Sequence, residues 1–239
     1  MVLKIICFLT VLISSGLSHN AEKIRKAMYN PDLFEGDILG IDPQDRSAIP
    51  SEKKRWTNKK VPYVIDEYLM PSVSIIYDAF DDYQLNSCLR FVPRTTEANY
   101  IRIFPGRGCF AHVGMNGDGE QPVSLGEGCV HKAVVVHELG HTIGFWHEHS
   151  RSDRDKYLII YWDNIQEGMK SQFLLMNPEQ NLLLSEFDYD SVMMYGNYAF
   201  SKDGKSITIE ARNGQKLPEK TEEGLSKKDI ERVNKMYKC

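Results

Sequence analysis

Apolar and polar positions change their period several times along the chain, and each change predicts an element. Val61 to Ile65 (VPYVI) and Tyr100 to Phe104 (YIRIF) are short runs rich in β-branched and aromatic residues, and read as strands. Between them Val73, Ile76, Tyr77, Phe80 and Tyr83 recur at helical spacing behind Pro71-Ser72, a good helix start. Gly114 to Gly128 is glycine-rich without a period and reads as loop. His131 to Ile143 is apolar with interleaved histidines, predicting a helix, and Tyr157 to Trp162 (YLIIYW) predicts a buried strand. Ser226 to Tyr237 reads as a second clear helix: Ser226 and Asp229 stand at capping-box-like spacing, and Ile230, Val233 and Tyr237 share one face. There is no internal repeat and no heptad pattern. Strands and helices mix without a βαβ rhythm, so the expected fold class is α+β.

The first 56 residues do not follow this pattern. Met1 to Ser18 carries one lysine, then an apolar run from Ile5 to Ile13, then Ser14, Ser15, Gly16 and Ser18. That is the order of a secretory signal, cut after Gly16 or Ser18, and the apolar run is shorter than the roughly 20 residues a membrane span needs. A polar, turn-rich segment follows, with Pro31, Gly36, Gly40, Pro43 and Pro50. It contains Phe34-Glu35-Gly36-Asp37 and a lone basic residue at Arg46, and reads as a loose arm or as a pro-segment cut after Arg46. The expected division is therefore signal 1–18, pro-segment 19–46 and one globular domain over 47–239.

Composition narrows the function classes. The 239-residue chain is 42% hydrophobic and 26% charged, as a globular protein should be. A formal net charge of −4 offers no polycationic footprint, so nucleic acid is not an expected partner. Cys7 leaves with the signal. Cys88, Cys109, Cys129 and Cys239 remain, an even number in an oxidising compartment, and predict two bridges in one of three pairings. None is paired at C-x2-C spacing, which argues against a four-cysteine zinc site. No N-x-S/T sequon is present, so N-glycosylation is not expected.

The chemistry is concentrated in residues 137 to 155, HELGHTIGFWHEHSRSDRD. His137 and His141 stand at i and i+4, about 40° apart on a helix, so both imidazoles can meet one ion while Glu138 projects beside it. Chance would place this H-E-x-x-H form in roughly one chain of this size in a hundred. Gly144 follows three residues after His141, and His147 three after that. A glycine can end the helix in the left-handed conformation and turn the chain so that His147 returns to the same metal. The whole pattern is the metzincin signature. Three neutral nitrogen ligands leave a position open, the mark of a catalytic zinc rather than a structural one. Such a zinc brings the pKa of water to about 7, and Glu138 is placed to serve as general base and then acid.

The extended motif resembles that of the astacin family of secreted zinc endopeptidases. It is matched at His137, Glu138, His141, Gly144, Phe145, His147, Glu148, Arg151, Asp153, Arg154 and Asp155, and Ser191 to Tyr195 (SVMMY) resembles the family's Met-turn. The resemblance implies one Zn2+ per chain, Met193 as an apolar floor beneath it, and Tyr195 as an extra ligand able to swing towards an oxyanion. Met194 stands where family members commonly have histidine, which suggests a more apolar cleft wall. The implied disulfides are Cys88–Cys239 and Cys109–Cys129. Family pro-segments carry F-x-G-D, whose Asp takes the open zinc position; here that is Asp37. After an activating protease cuts at Arg46, the new N-terminus at Ser47 would be buried near Glu148.

The implied fold has two lobes. The upper has a twisted, mostly parallel sheet with an antiparallel edge strand lining the cleft, plus two long helices; the lower is mostly irregular and ends in a helix. Protein or peptide substrates would bind extended along that edge. The protein is expected to be a monomer without a membrane span and without further modules. His112, His131 and His149 are expected to be structural or exposed. Lys220 to Gly224 lacks the arginine that many members carry before Leu225-Ser226, so no strong preference for acidic residues is expected. The alternatives are a venom or digestive toxin-like enzyme that degrades matrix, and a non-catalytic zinc-binding relative.

Overall fold

A computed structural model describes residues 22–41, 54–217 and 224–239. The expected signal segment, the cut at Arg46 with Ser47, and residues 220–223 lie outside the described residues.

The upper half is built on a five-stranded sheet in the order β2–β1–β3–β5–β4. Its strands are β1 (Lys60–Ile65), β2 (Arg90–Pro93), β3 (Tyr100–Phe104), β4 (Cys109–Ala111) and β5 (Glu120–Leu125). The pairs β1–β2, β1–β3 and β3–β5 are parallel, and β4 joins β5 antiparallel as the edge strand. β1 and β3 fall where the β-branched runs predict them. β5 lies inside the stretch expected to be loop, and corrects that expectation. Its polar residues are satisfied inside the fold: Gln121 exchanges hydrogen bonds with Asn116 N and Gly114 O, and the Ser124 hydroxyl donates to Gly108 O.

Helix α1 covers residues 22–28 in the segment expected to be a loose arm, and buries Ile24, Ala27 and Met28. Helix α2 (Val73–Asn86) buries Ile76, Ala79, Phe80 and Tyr83, a single stripe at three- and four-residue spacing. Helix α3 (Lys132–Ile143) is buried at every position but the first, as suits a helix enclosed by the core. α2 and α3 pack together, and the Tyr83 hydroxyl donates to Val136 O across their contact at 2.7 Å. Burying each large aliphatic or aromatic side chain here contributes about 1.5–3 kcal/mol.

The lower half has its own apolar core around Leu158, Phe173, Phe187, Met194, Tyr195 and Phe200. Regular structure there is sparse: short 3-10 turns and a two-stranded antiparallel sheet of β6 (Leu158–Ile160) and β7 (Ile209–Ala211). Only the centre of the expected strand over 157–162 is extended. Met194 is completely buried in this core. Helix α4 (Lys227–Tyr237) starts with the predicted capping box between Ser226 and Asp229. It packs Val233, Met236 and Tyr237 into the upper core, beside α3. The disulfides join Cys88 to Cys239 and Cys109 to Cys129. Among the described residues no helix is long and apolar enough to cross a membrane.

Candidate metal centre

α3 ends where the sequence places a turn. Gly144 has φ +116°, and its N–H reaches back to the carbonyls of Gly140 and His141. The remaining carbonyls at this buried end find side-chain donors: the Trp56 indole bonds Thr142 O and the Tyr237 hydroxyl bonds Ile143 O, both at 2.8 Å. The chain then reverses and carries His147 back to His137 and His141.

All three imidazoles are buried. His137 Nε2 lies 3.1 Å from His141 Nε2 and 3.2 Å from His147 Nε2. Their outer nitrogens fix the tautomers. His137 Nδ1 bonds Val192 O at 2.7 Å, His141 Nδ1 bonds Phe145 O at 2.8 Å, and His147 Nδ1 bonds the Glu35 carboxylate at 2.7 Å. Each partner can only accept, so each Nδ1 carries the hydrogen and each Nε2 presents a lone pair inward.

Asp37 completes the convergence. Its Oδ2 lies 3.0 Å from His137 Nε2, and its Oδ1 lies 3.4 Å from His141 Nε2 and 3.2 Å from His147 Nε2. Four acceptors therefore meet with no hydrogen between them, an arrangement that only a cation makes favourable. The spacing suits zinc: ligand bonds of roughly 2.0–2.1 Å in a tetrahedron put nitrogens about 3.3 Å apart. The outward N–H bonds to two carbonyls and a carboxylate are the supports that metal-binding histidines ordinarily have. Burial pushes His147 well below its usual value and keeps it neutral, as a ligand must be. Burial disfavours the charged Asp37 carboxylate, and only positive charge at this centre, on an ion or on the imidazoles were they protonated, pulls it well below its usual range.

The neighbours of this centre have distinct places. Glu138 is fully buried on α3, beside His137. Met193 lies against Gly140 beneath the helix, and its carbonyl accepts from Glu148 N at 3.0 Å. The Tyr195 hydroxyl donates to the Glu35 carbonyl, and its ring stacks on His149 with centroids 3.7 Å apart. Burial, then the Asp37 and Glu35 carboxylates, raises the Tyr195 phenol well above its usual value, so it stays a donor.

Glu148 is buried against Arg232, at 2.7 and 2.8 Å, and against Arg151 at 3.1 Å. Burial pushes its carboxyl up to about 7 against the pull of those guanidinium groups. His149 is buried and donates to Gln172 O; His112 and His131 are half-buried. Arg154 ties His149 O to Phe173 O, each at 2.8 Å.

Segment 33–39 crosses this centre. Leu39 N donates to Ala111 O and Ala111 N to Asp37 O, so Ile38 bridges in parallel to the outer edge of β4. Glu35, Gln172 and Arg232 were not singled out in the sequence. Glu35 stands inside the quoted FEGD; Gln172 and Arg232 carry no local signal, because their partners are 139 and 84 positions away.

The family model described as Astacin, a peptidase family, matches residues 48–238. The chain belongs to the astacin family. It is 39% identical over 221 residues to zinc metalloproteinase nas-6 of Caenorhabditis elegans, covering 88% of this chain and 64% of that one. It is 41% identical to astacin-like metalloprotease toxin 1 of Loxosceles intermedia, covering 87% of this chain and 81% of that one. Among solved structures, high choriolytic enzyme 1, a hatching enzyme zinc-protease from Oryzias latipes, aligns with TM-score 0.71 and 31% identity. That alignment covers 85% of this chain and all of the hatching enzyme. The α+β architecture is thus an astacin fold, and Asp37, His137, His141 and His147 stand together in it as a group that could hold a metal ion.

Proposed function

We propose that the chain is a secreted zinc endopeptidase made as a zymogen, with one Zn2+ held by His137, His141 and His147. The observation that carries this reading is the convergence of three inward lone pairs and the Asp37 carboxylate beside Glu138. Zinc, when bound, supplies a Lewis acid that polarises the scissile carbonyl and acidifies water. Glu138 takes the proton of the attacking water and passes it to the leaving amine. Tyr195, a buried phenol that keeps its proton, donates to the oxyanion of the tetrahedral carbon once it leaves the Glu35 carbonyl. Met193 fills the space under α3 and keeps the floor of the site dry.

Asp37 occupies the face of the centre that substrate needs, so the uncleaved chain is latent. Cleavage after Arg46 by an activating protease removes that carboxylate. The resemblance would send the Ser47 ammonium to Glu148, which already faces Arg232 and Arg151. Substrate then enters as an extended strand on β4, where Ile38 sits in the uncleaved chain.

The test is casein or gelatin digestion by protein processed to start at Ser47, with and without 1,10-phenanthroline. Chelator-sensitive cleavage is expected, and Glu138→Ala should abolish turnover while zinc content stays at one per chain. Zinc-loaded, processed protein that cleaves nothing would favour the non-catalytic alternative.

A further inference from the structure

The Tyr195 phenol is enclosed by rings, and one of them differs from the rest. His149 lies nearly parallel to it, at 22° with centroids 3.7 Å apart. Tyr29, His147, Phe173 and Phe200 stand 4.6–6.2 Å away and are inclined at 45–85°. An inclined ring meets the phenol by an edge, whereas a parallel one faces it over its whole breadth. Both members of the parallel pair are fully buried.

The imidazole is itself held in place. Its Nε2 donates to Gln172 O at 2.9 Å, and Phe173 packs edge-on against it at 5.8 Å. The His149 carbonyl accepts from Arg154 at 2.8 Å, and the same guanidinium holds the Phe173 carbonyl at 2.8 Å. Gln172 O, Phe173 and Arg154 all lie in the lower half, and none belongs to residues 22–41.

Other partners of Tyr195 have a different origin. Its hydroxyl donates to the Glu35 carbonyl, and Tyr29 meets its ring edge-on at 5.2 Å. Both residues precede Arg46, so the proposed processing would remove them together. His147 beside the metal centre, the edges of Phe173 and Phe200 and the face of His149 would then remain. A phenol released at its hydroxyl can slide in its own plane along that face and keep the contact. Tilting out of the plane loses it.

We propose that His149 is a positioning residue for Tyr195. Its imidazole face confines the phenol to one plane while the hydroxyl passes from the Glu35 carbonyl to the oxyanion. The assignment rests on the role given to Tyr195 in the peptidase reading above. His149 acts through the tyrosine and not on the substrate, and Arg154 and Gln172 O hold the imidazole for that task.

Two readouts test this in zinc-loaded protein. The first does not depend on turnover: NMR of isotope-labelled tyrosine rings, in the uncleaved chain and after processing to Ser47. The Tyr195 signals are assigned by their loss in Tyr195→Phe, and the stacked imidazole should hold them upfield in both forms. His149→Gln keeps a donor for Gln172 O and removes the ring, and should bring the signals back towards ordinary tyrosine positions. His149→Phe keeps a ring and should leave them upfield. The second readout is a kinetic cycle in processed protein. His149→Gln should lower kcat on the order of fivefold with little change in KM, and His149→Phe should recover most of the loss. In a Tyr195→Phe background, His149→Gln should have no further effect. Unmoved Tyr195 signals in His149→Gln would overturn the proposal. So would an equal loss of kcat with and without the Tyr195 hydroxyl, which marks a merely structural effect. Full turnover in Tyr195→Phe alone would remove the oxyanion role of Tyr195 and the proposal with it. Absence of phenanthroline-sensitive cleavage in the wild type would instead count against the peptidase reading, while the tyrosine signals would still decide whether His149 holds the ring.

Discussion

Gly140 sits one residue before the second histidine and has no side chain because Met193 fills the space. A Cβ there would fall 2.5 Å from Met193 Sδ and 3.2 Å from the Tyr83 hydroxyl oxygen. Both neighbours are buried, and the hydroxyl is committed to Val136 O. Gly140→Ala therefore overpacks the floor of the centre and should cost about 1–3 kcal/mol. Thermal melting would read this as a drop of roughly 2–4 °C per kcal/mol. A melting temperature equal to the wild type would show that Met193 yields freely. Glu35 offers a second test on one atom pair. Its carboxylate fixes the His147 tautomer in the uncleaved chain, and the proposed processing would remove it. Losing such an outer partner typically weakens metal binding by about 10–100-fold. Glu35→Ala should thus speed zinc loss to a chelator in the uncleaved protein; equal rates in variant and wild type would sink the role.

On the proposed reading, the element that would separate a latent from an open chain is the segment bridged to β4 through Ile38. Asp37 is its reactive position, and Leu39 N and Asp37 O are its ladder contacts. Replacing the carboxylate by a hydrogen, as in Asp37→Ala, removes one acceptor from the centre and leaves the ladder in place. In a chain that also carries Arg46→Ala, so that it stays uncut, chelator-sensitive cleavage of a fluorogenic peptide should rise well above that of the Arg46→Ala parent. Equal activity in the two would mean that the strand alone, not the carboxylate, enforces latency.

Element by element, the sequence was legible where one face or one residue type dominates. β1, β3, α2 and α4 announce themselves by β-branched runs or a 3.6-residue stripe, and Gly144 by the need for positive φ. β5 was hidden because Gln121, Pro122 and Ser124 interrupt its apolar pattern. Its polar groups are paired with distant loop atoms, and Pro122 lies one position beyond the last residue paired with β4, where the missing N–H leaves the β4 ladder intact. α1 was hidden because its apolar positions, Ile24, Ala27 and Met28, are few and stand among charges. The convergence of His137, His141 and His147 could be read from spacing alone. Gln172 and Arg232 could not, because only the folded chain brings them to the site.

At the scale of the whole molecule, α4 connects the end of the chain to everything beneath the centre. Asp229 accepts from Val192 N and the Ser191 hydroxyl, Arg232 grips Glu148, and Tyr237 bonds the last turn of α3. Cys239, two residues on, is tied to Cys88 just after α2. The bridge thus fixes the support of the Met-turn and of the His147 segment to the upper sheet. It closes a separation of 151 residues, against 20 for Cys109–Cys129. In the chain-entropy picture the long loop contributes about 5 kcal/mol and the short one about 3 kcal/mol. Both figures treat the unfolded chain as structureless and are upper values. The double variant Cys88→Ser with Cys239→Ser should therefore melt lower than Cys109→Ser with Cys129→Ser. It should also lose zinc faster, since α4 is then free to lift from Glu148 and Val192. A lower melting temperature with wild-type zinc retention would separate the two effects and show that α4 stays docked through Arg232 and Asp229 without the disulfide.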